Sequence, residues 1–330
     1  MRHRLVLLGS DEIALAAFVA ARALPAVEVV AVYSQPDRPA GRGQAVRANP
    51  VAAWARQEGL TLLQPEKLSA EDAAHLRALD VSLGVVMAYG QILKDDFLQA
   101  PRLGLVNFHG SLLPALRGAT PVEGALAAGL DVTGVSLQQV VRKLDAGPLH
   151  ASAPLTIAPN EGRAALRARL GVLAGELATR VLPVILAGAS VPLPQDEALV
   201  SYTRRLTRQD AALDFNEDAR LLAGRIAAME GWPGSTFECH GVVIKVGAAQ
   251  AVAAGPGAPA GTILSADKSG VRIACGTGAC LLTLLQRPGG KMLPAGEFLA
   301  GFPLAVGAVL PSMAMPPLIA SAPFPRLPKA

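Results

Sequence analysis

Aromatic residues make up only 4% of the 330 positions, and cysteine is limited to Cys239, Cys275 and Cys280. An odd set of thiols without Cys-x-x-Cys spacing or nearby histidine pairs argues against a disulfide framework. The three read instead as reduced core thiols of a cytosolic protein. Cys239 stands beside His240, but neighbours on a strand point to opposite faces, so no metal site is expected. Gly-x-Gly-x-x-Gly, Walker, Gly-x-Ser-x-Gly and His-Glu-x-x-His patterns are all missing, which sets aside the common dinucleotide, phosphate-loop, serine-nucleophile and zinc chemistries. The first turn after an apolar run is Gly9-Ser10-Asp11-Glu12, and its two carboxylates oppose a pyrophosphate at the helix start. They also end the run Leu5–Gly9 before a signal-peptide core forms. Charge is missing altogether from residues 298–325, long enough for a membrane span of ~20 residues. Pro303, Pro311, Pro316, Pro317, Pro323 and Pro325 would break such a helix, so the segment reads as an apolar tail packed on the protein.

What is present is a globular composition, 51% hydrophobic, over a length that allows two cores. The 30 Lys and Arg exceed the 26 Asp and Glu by +4, which permits a polyanionic partner without requiring one. Strand patterns at Leu5–Leu8, Val27–Tyr33, Val81–Met87 and Gly104–Phe108 alternate with helical ones at Ile13–Leu24, Ala52–Glu58 and Glu71–Leu79. Such alternation predicts an α/β unit with a mostly parallel sheet. Further strands at Val132–Val141 and Ala151–Ile157 and one long helix at Arg163–Ala187, kinked at Pro183, complete it near residue 188. After a linker and a helix at Asn216–Met229 come five short strand patterns, Ser235–Cys239, Val242–Val246, Thr262–Leu264, Val271–Ala274 and Cys280–Leu285. They suggest a small β-barrel, for which an oligonucleotide-binding type would fit. The expected division is 1–188, a linker at 189–204, and 205–330.

Chemistry concentrates where the apolar strand Leu105–Phe108 ends. Asn107 and His109 are two residues apart and fall on one side of the strand, at the carboxyl edge where open α/β sheets bind ligands. An amide beside an imidazole suits an oxyanion in acyl transfer, although Asn107 capping a turn and His109 merely packed would give the same pattern. Asp145, in Asp145-Ala146-Gly147-Pro148, is an ordinary turn former unless it meets His109, whose tautomer it would then set. The basic stretch Gln35–Gly43, with Arg38, Arg42 and Arg47, is either a solvated loop or a phosphate-binding one.

These segments resemble the methionyl-tRNA formyltransferase family of folate-dependent formyltransferases. The resemblance rests on QPDRPAGRG at 35–43, LQPEKL at 63–68, Ala88-Tyr89-Gly90, NFHGSLLP at 107–114 with Arg117-Gly118, Asp145-Ala146-Gly147, QDEALVSYTRRL at 195–206 and Trp232-Pro233-Gly234, in order across roughly residues 1–290. NFHGSLLP is shared with folate-dependent formyltransferases at large, whereas QPDRPAGRG and QDEALVSY point to the tRNA-formylating branch.

The resemblance implies a Rossmann-like catalytic domain followed by an oligonucleotide-binding-like barrel. It implies Asn107, His109 and Asp145 as catalytic residues and Ser111, Leu112, Leu113 and Pro114 as the folate-contacting segment, with Met87–Gly90 a candidate wall for the pterin. It further implies 10-formyltetrahydrofolate as a consumed co-substrate, with no resident cofactor or metal, and methionyl-initiator tRNA held by Arg38, Arg42 and Arg47 and by Arg204, Arg205 and Arg208. A cytoplasmic monomer is expected. A sugar-nucleotide amine as acceptor, a formyl-folate hydrolase and a tRNA-binding protein without catalysis are the competing readings. The chain departs from the family pattern at Ala115-Leu116, where many members carry Arg-Trp, at Ser10-Asp11, where Thr-Pro is usual, and at Met229-Glu230-Gly231, where Phe-Asn-Pro often stands.

Overall fold

Residues 2–40, 45–253 and 257–325 are described by the computed structural model. The first sheet contains β1 (His3–Gly9), β2 (Val27–Tyr33), β3 (Leu62–Leu63), β4 (Leu83–Met87), β5 (Leu105–His109), β6 (Val132–Gln139) and β7 (Leu149–Thr156). Their order is β7-β6-β5-β4-β1-β2-β3. Strands β1 to β5 pair in parallel and β6 runs antiparallel to β5, so the sheet is mostly parallel, as expected. Its central strands are apolar at successive positions because both faces are covered: β4 is buried along its whole length.

The chain lays β2 and β3 on one side of β1 and then returns to place β4 on the other. The carboxyl ends of β1 and β4 therefore bound the switch point where such sheets take ligands. There the Ser10 N–H donates to Ala88 O at 3.2 Å, and the Ser10 hydroxyl accepts from the Gln35 N–H at 2.9 Å.

Local signals account for the helices. Asp11 caps a 3₁₀ turn at Glu12–Ala14 by accepting from the Ile13 N–H, and α1 (Leu15–Arg22) follows. Asn49 caps α2 (Pro50–Gln57), which has proline in its first turn, and a Ser69–Asp72 capping box starts α3 (Ala70–Ala78). The long helix α4 (Arg163–Leu186) contains Pro183 within it.

Two compact units result. One consists of 1–117, 133–155 and 167–200, the other of 118–132, 156–166 and 201–330. The second thus takes in two short stretches of the N-terminal half. The helix at Pro121–Ala127 packs on α5 (Ala219–Ala228), and Arg220 reaches the Asp131 carboxylate at 2.5 Å.

The same unit carries β8 (Ser235–Cys239), β9 (Val242–Val252), β10 (Ile263–Asp267), β11 (Gly270–Ala274) and β12 (Ala279–Gln286), an antiparallel sheet of order β8-β9-β12-β11-β10. Strand β9 runs further than the Val242–Val246 pattern. Its register shifts between Val246 and Ala249, and such irregularity lets one strand bend and continue along its partner.

Phe237, Ile244, Ile273 and Leu282 form the core of this unit with Leu222 and Ile226 of α5, and the tail residues Leu304 and Leu310 join it. Ile319–Ala320 pairs with Tyr202–Thr203. The uncharged tail is packed on the protein, as expected from its prolines. All three cysteines are buried free thiols, and burial pushes Cys275 up to about 11, which keeps the thiol protonated. Among the described residues no helix is long and apolar enough to cross a membrane.

Under the tail lies a fully buried carboxylate, Asp210, which accepts from Arg204 at 2.6 and 2.8 Å and from Arg225 at 2.8 Å. Burial alone would push its pKa up. The Arg204 guanidinium and the Thr207 N–H outweigh that and hold it below the ordinary carboxylate range. With the folded pKa depressed, the stabilisation is present above about pH 4 and is lost as pH falls through the folded value. Asp210→Ala, which strands the buried Arg225 and the half-buried Arg204, is expected to cost about 3–5 kcal/mol of stability in urea unfolding at pH 7. Unfolding of the variant should also be less sensitive to acid than that of the parent protein.

Candidate active site

The antiparallel pairing of β6 on β5 sets Asn107 opposite Gln138 and His109 opposite Ser136. Residues directly opposite in such a pair share a face, so all four side chains lie on one side of the sheet at its carboxyl edge. His109 is buried and Asn107 half-buried. The His109 Nε2 lies 2.9 Å from Leu116 O. A carbonyl only accepts, so Nε2 carries the proton and the lone pair of the neutral ring resides on Nδ1. That Nδ1 faces Asp145 Oδ2 at 3.8 Å. The other carboxylate oxygen, Oδ1, accepts from Gln138 Nε2 at 2.9 Å. The three residues singled out by the sequence are therefore brought together, Asn107 through its cross-strand neighbour Gln138.

Leu116 makes this contact through its main chain, in a left-handed conformation with φ 60°. The departure from the family pattern at this position leaves the histidine's support intact.

Ser136, which sequence reasoning passed over, pins the Ser111–Pro114 segment beside the site. Its hydroxyl donates to Ser111 O at 2.8 Å and accepts from the Leu113 N–H at 2.9 Å. Ser111 itself donates to Ala115 O at 2.7 Å. Leu113 is buried and Leu112 and Pro114 are half-buried, so the segment offers an apolar edge with its main chain held in place. At the end of β4, Met87 and Tyr89 are buried while Ala88 and Gly90 are exposed, both at positive φ. Any wall here is made by the main chain of 88–90, since both large side chains belong to the interior.

Asp145 is also left-handed, with φ 46°, and its turn is held from outside the two strands. Gln195 Nε2 donates to Asp145 O at 2.9 Å and to Gly147 O at 2.8 Å, and Gln195 Oε1 accepts from the fully buried Arg117 at 2.7 and 3.0 Å. Glu197 joins Arg117 and Lys143, each at 2.8 Å, and these two cations hold its carboxyl down to about 2. The signal for Gln195 was the QDEALVSY segment, whose composition says nothing of where its side chain goes.

The basic stretch is partly ordered. Arg38–Ala40 pairs with Ala45–Arg47, with Arg38 directly opposite Arg47, and both arginines are exposed. Arg38 also pairs with Glu66. Arg42 lies outside the described residues. Arg205 and Arg208 are exposed. Arg204 differs from them. Its five N–H groups go to Asp210, the carbonyls of Pro316 and Pro317, and Arg205 O, which gives it a structural place under the tail. Among the described residues no group of three or more His, Cys, Asp or Glu could hold a metal ion.

An amide and an imidazole that open beside a carboxylate, on the edge of an open α/β sheet, define an acyl-transfer enzyme in which the attacking group comes from the substrate. The chain belongs to the formyl transferase family: the formyl transferase model matches residues 4–182, and the model of the formyl transferase C-terminal domain matches 205–303. It is 41% identical over 310 residues to a methionyl-tRNA formyltransferase of Halorhodospira halophila, covering 93% of this chain and 99% of that one. A methionyl-tRNA formyltransferase of Myxococcus xanthus is 41% identical over 308 residues, covering 93% and 97%. Among solved structures, an N-formyltransferase of Helicobacter canadensis, in complex with folinic acid and dTDP-3-aminofucose, superposes with a TM-score of 0.66 at 14% identity. That likeness covers 89% of this chain and 100% of the other, and is one of fold.

Gly147 tests how tightly the Asp145 turn is set. A Cβ there would stand 1.7 Å from Gln139 O, so Gly147→Ala must displace the turn. A misplacement of that size costs on the order of 10² in rate, and formyl-transfer turnover of the purified variant is the measurement.

Proposed function

We infer that this chain transfers the formyl group of 10-formyltetrahydrofolate to the α-amine of methionine esterified to initiator tRNA. The observation that carries this reading is the meeting of Asn107, His109 and Asp145 on one sheet edge, in a chain alike over nearly its whole length to tRNA-formylating relatives.

The neutral amine attacks the formyl carbon, a C–N bond forms, and the formyl oxygen becomes an oxyanion. Among the described residues nothing hydrogen-bonds the Asn107 amide, which leaves its N–H groups for that oxygen. His109 is bound to Leu116 O through Nε2, so it can donate only through a protonated Nδ1. Nδ1 is therefore the atom it offers to the reaction, with Asp145 beside it to orient the ring and to take the ammonium proton, directly or through water. Collapse breaks the bond from the formyl carbon to the folate nitrogen, which leaves with the proton that Asp145 has taken, and the carboxylate is restored. The segment Ser111–Pro114 supplies the apolar edge a pterin needs.

Residues 1–188 form the catalytic part of this reading and 205–330 the oligonucleotide-binding-like part with its apolar tail, with 189–204 between them; the family matches at 4–182 and 205–303 support the division. Arg38, Arg42, Arg47, Arg205 and Arg208 are the proposed phosphate contacts, and Arg204 acts through the tail. With 4% aromatic residues, tRNA binding rests on charge and shape more than on stacking. The enzyme works as a cytoplasmic monomer, since one acceptor stem can lie across a single two-part chain.

Asn107→Ala and His109→Ala are each expected to lower kcat by on the order of 10²–10³. A purified variant with near-normal turnover on methionyl-tRNA would remove that residue from the mechanism. Formylation of an amino sugar in place of methionyl-tRNA would overturn the choice of acceptor.

Arg42→Ala should raise KM for tRNA, leave the folate KM unchanged and reduce the slope of log affinity against log salt by about 1. An unchanged tRNA dependence would take this loop out of the tRNA site.

A further inference from the structure

The segment expected as a linker touches the reaction through one side chain. Gln195 projects its amide into the turn that carries Asp145, and its orientation is unambiguous. The nitrogen faces two carbonyl oxygens, Asp145 O at 2.9 Å and Gly147 O at 2.8 Å, while the oxygen faces the Arg117 guanidinium at 2.7 and 3.0 Å. Both amide hydrogens are thus directed at the main chain on either side of Ala146, and the nitrogen also lies 3.5 Å from Gln138 Oε1. The turn they hold places Asp145 at φ 46°, in the left-handed region that aspartate tolerates better than most residues, and the two bonds fix that conformation. The other end of the turn is tied as well, through Lys143 to Glu197 at 2.8 Å. Behind the amide, Arg117 has no exposure and also binds Glu197 at 2.8 Å, so the clamp is anchored in the interior.

We propose that Gln195 is a positioning residue for formyl transfer, which fixes the main chain of Asp145 so that its carboxylate stays between Gln138 and His109. The inference rests on the formyl-transfer reading above for its rate effects, but not for its structural content. Among the described residues Gln195 makes no hydrogen bond to His109, Asn107 or the Ser111–Pro114 segment, and it reaches the strand pair only at Gln138 Oε1, 3.5 Å away. Its loss should therefore act on the chemical step and spare substrate binding.

Gln195→Glu is the discriminating variant. It keeps the volume and the oxygen towards Arg117 but replaces the amide donors with an oxygen set against two carbonyls. The expected result is a kcat lower by about 10²-fold, with KM for folate and for methionyl-tRNA within about twofold of the parent values. In ¹⁵N-histidine-labelled protein without substrates, the ring signals of His109 should shift, because its carboxylate neighbour has moved. An unchanged kcat together with unmoved His109 signals would overturn the proposal, as would a higher tRNA KM at unchanged kcat.

Lys143→Met opens the other, exposed end of the clamp, where the side chain is 62% exposed, and keeps the test decisive if the Gln195 variant does not fold. An exposed ion pair is worth little, so kcat should fall only about threefold, with a smaller shift of the same His109 signals. Parental kcat and unmoved signals there would overturn the proposal. Should the parent enzyme fail to formylate methionyl-tRNA, the functional reading falls by itself. The His109 signals of Gln195→Glu still decide the clamp, supporting it if they move and refuting it if they do not.

Discussion

The pairing of β6 against β5 is the constraint on which the site depends. It is the point at which a parallel sheet accepts an antiparallel strand, and its register decides which side chains surround Asn107 and His109. A one-residue slip would turn Ser136 and Gln138 to the opposite face. With Ser136 gone, the Ser111–Pro114 segment would lose both the donor and the acceptor that hold it. With Gln138 gone, Asp145 would lose the amide that aims its carboxylate at the imidazole. One register thus sets the apolar edge and the proton-handling pair together, although the two loops concerned are separated by about thirty residues of sequence.

The first unit and the second solve different problems with the same residue type. In the first, Arg117 is buried behind Gln195 and stabilises a turn. In the second, the half-buried Arg204 and the buried Arg225 surround Asp210 and bind the carbonyls of Pro316 and Pro317. Proline removes a backbone donor but leaves the acceptor. A proline-rich strand without charge is therefore a suitable cover for buried guanidinium groups. The composition of the tail, which has no catalytic meaning, has this structural one.

Much of the fold was legible because its signals are local and redundant. The patterns at Val27–Tyr33 and Ser235–Cys239 coincide with β2 and β8 end to end, and the helical patterns at Ala52–Glu58 and Glu71–Leu79 fall on α2 and α3. The site was legible as a list of residue types, since Asn107 and His109 two apart on a strand must share a face. What could not be read were the contacts that depend on distant register. The cross-strand partners Ser136 and Gln138 lie inside an ordinary strand pattern, and Gln195 lies in a segment whose glycine and prolines say only that no helix runs through it. Arg204 shows the converse. Three arginines in five residues look like a phosphate patch, and nothing local reveals that the first of them is committed to Asp210 while Arg205 and Arg208 remain at the surface.

The hydrogen bond between His109 and Leu116 O has a consequence for how the chemistry divides between the side chains. A histidine anchored by its own Nε2–H cannot exchange tautomers without losing a buried bond, which costs about 1–3 kcal/mol when a partner is left unsatisfied. The ring therefore has one atom left, Nδ1, and in the proposed mechanism that atom serves the oxyanion and Asp145 alike. Asn107 has no such conflict, since its amide carries two hydrogens and meets no carboxylate. In the proposed mechanism Asn107 is the donor free of other bonds among the described residues and His109 the one whose Nδ1 is shared with Asp145. A turn that holds Asp145 by its main chain, with its carboxylate held between Gln138 and His109, is the arrangement that the proposed division of labour requires.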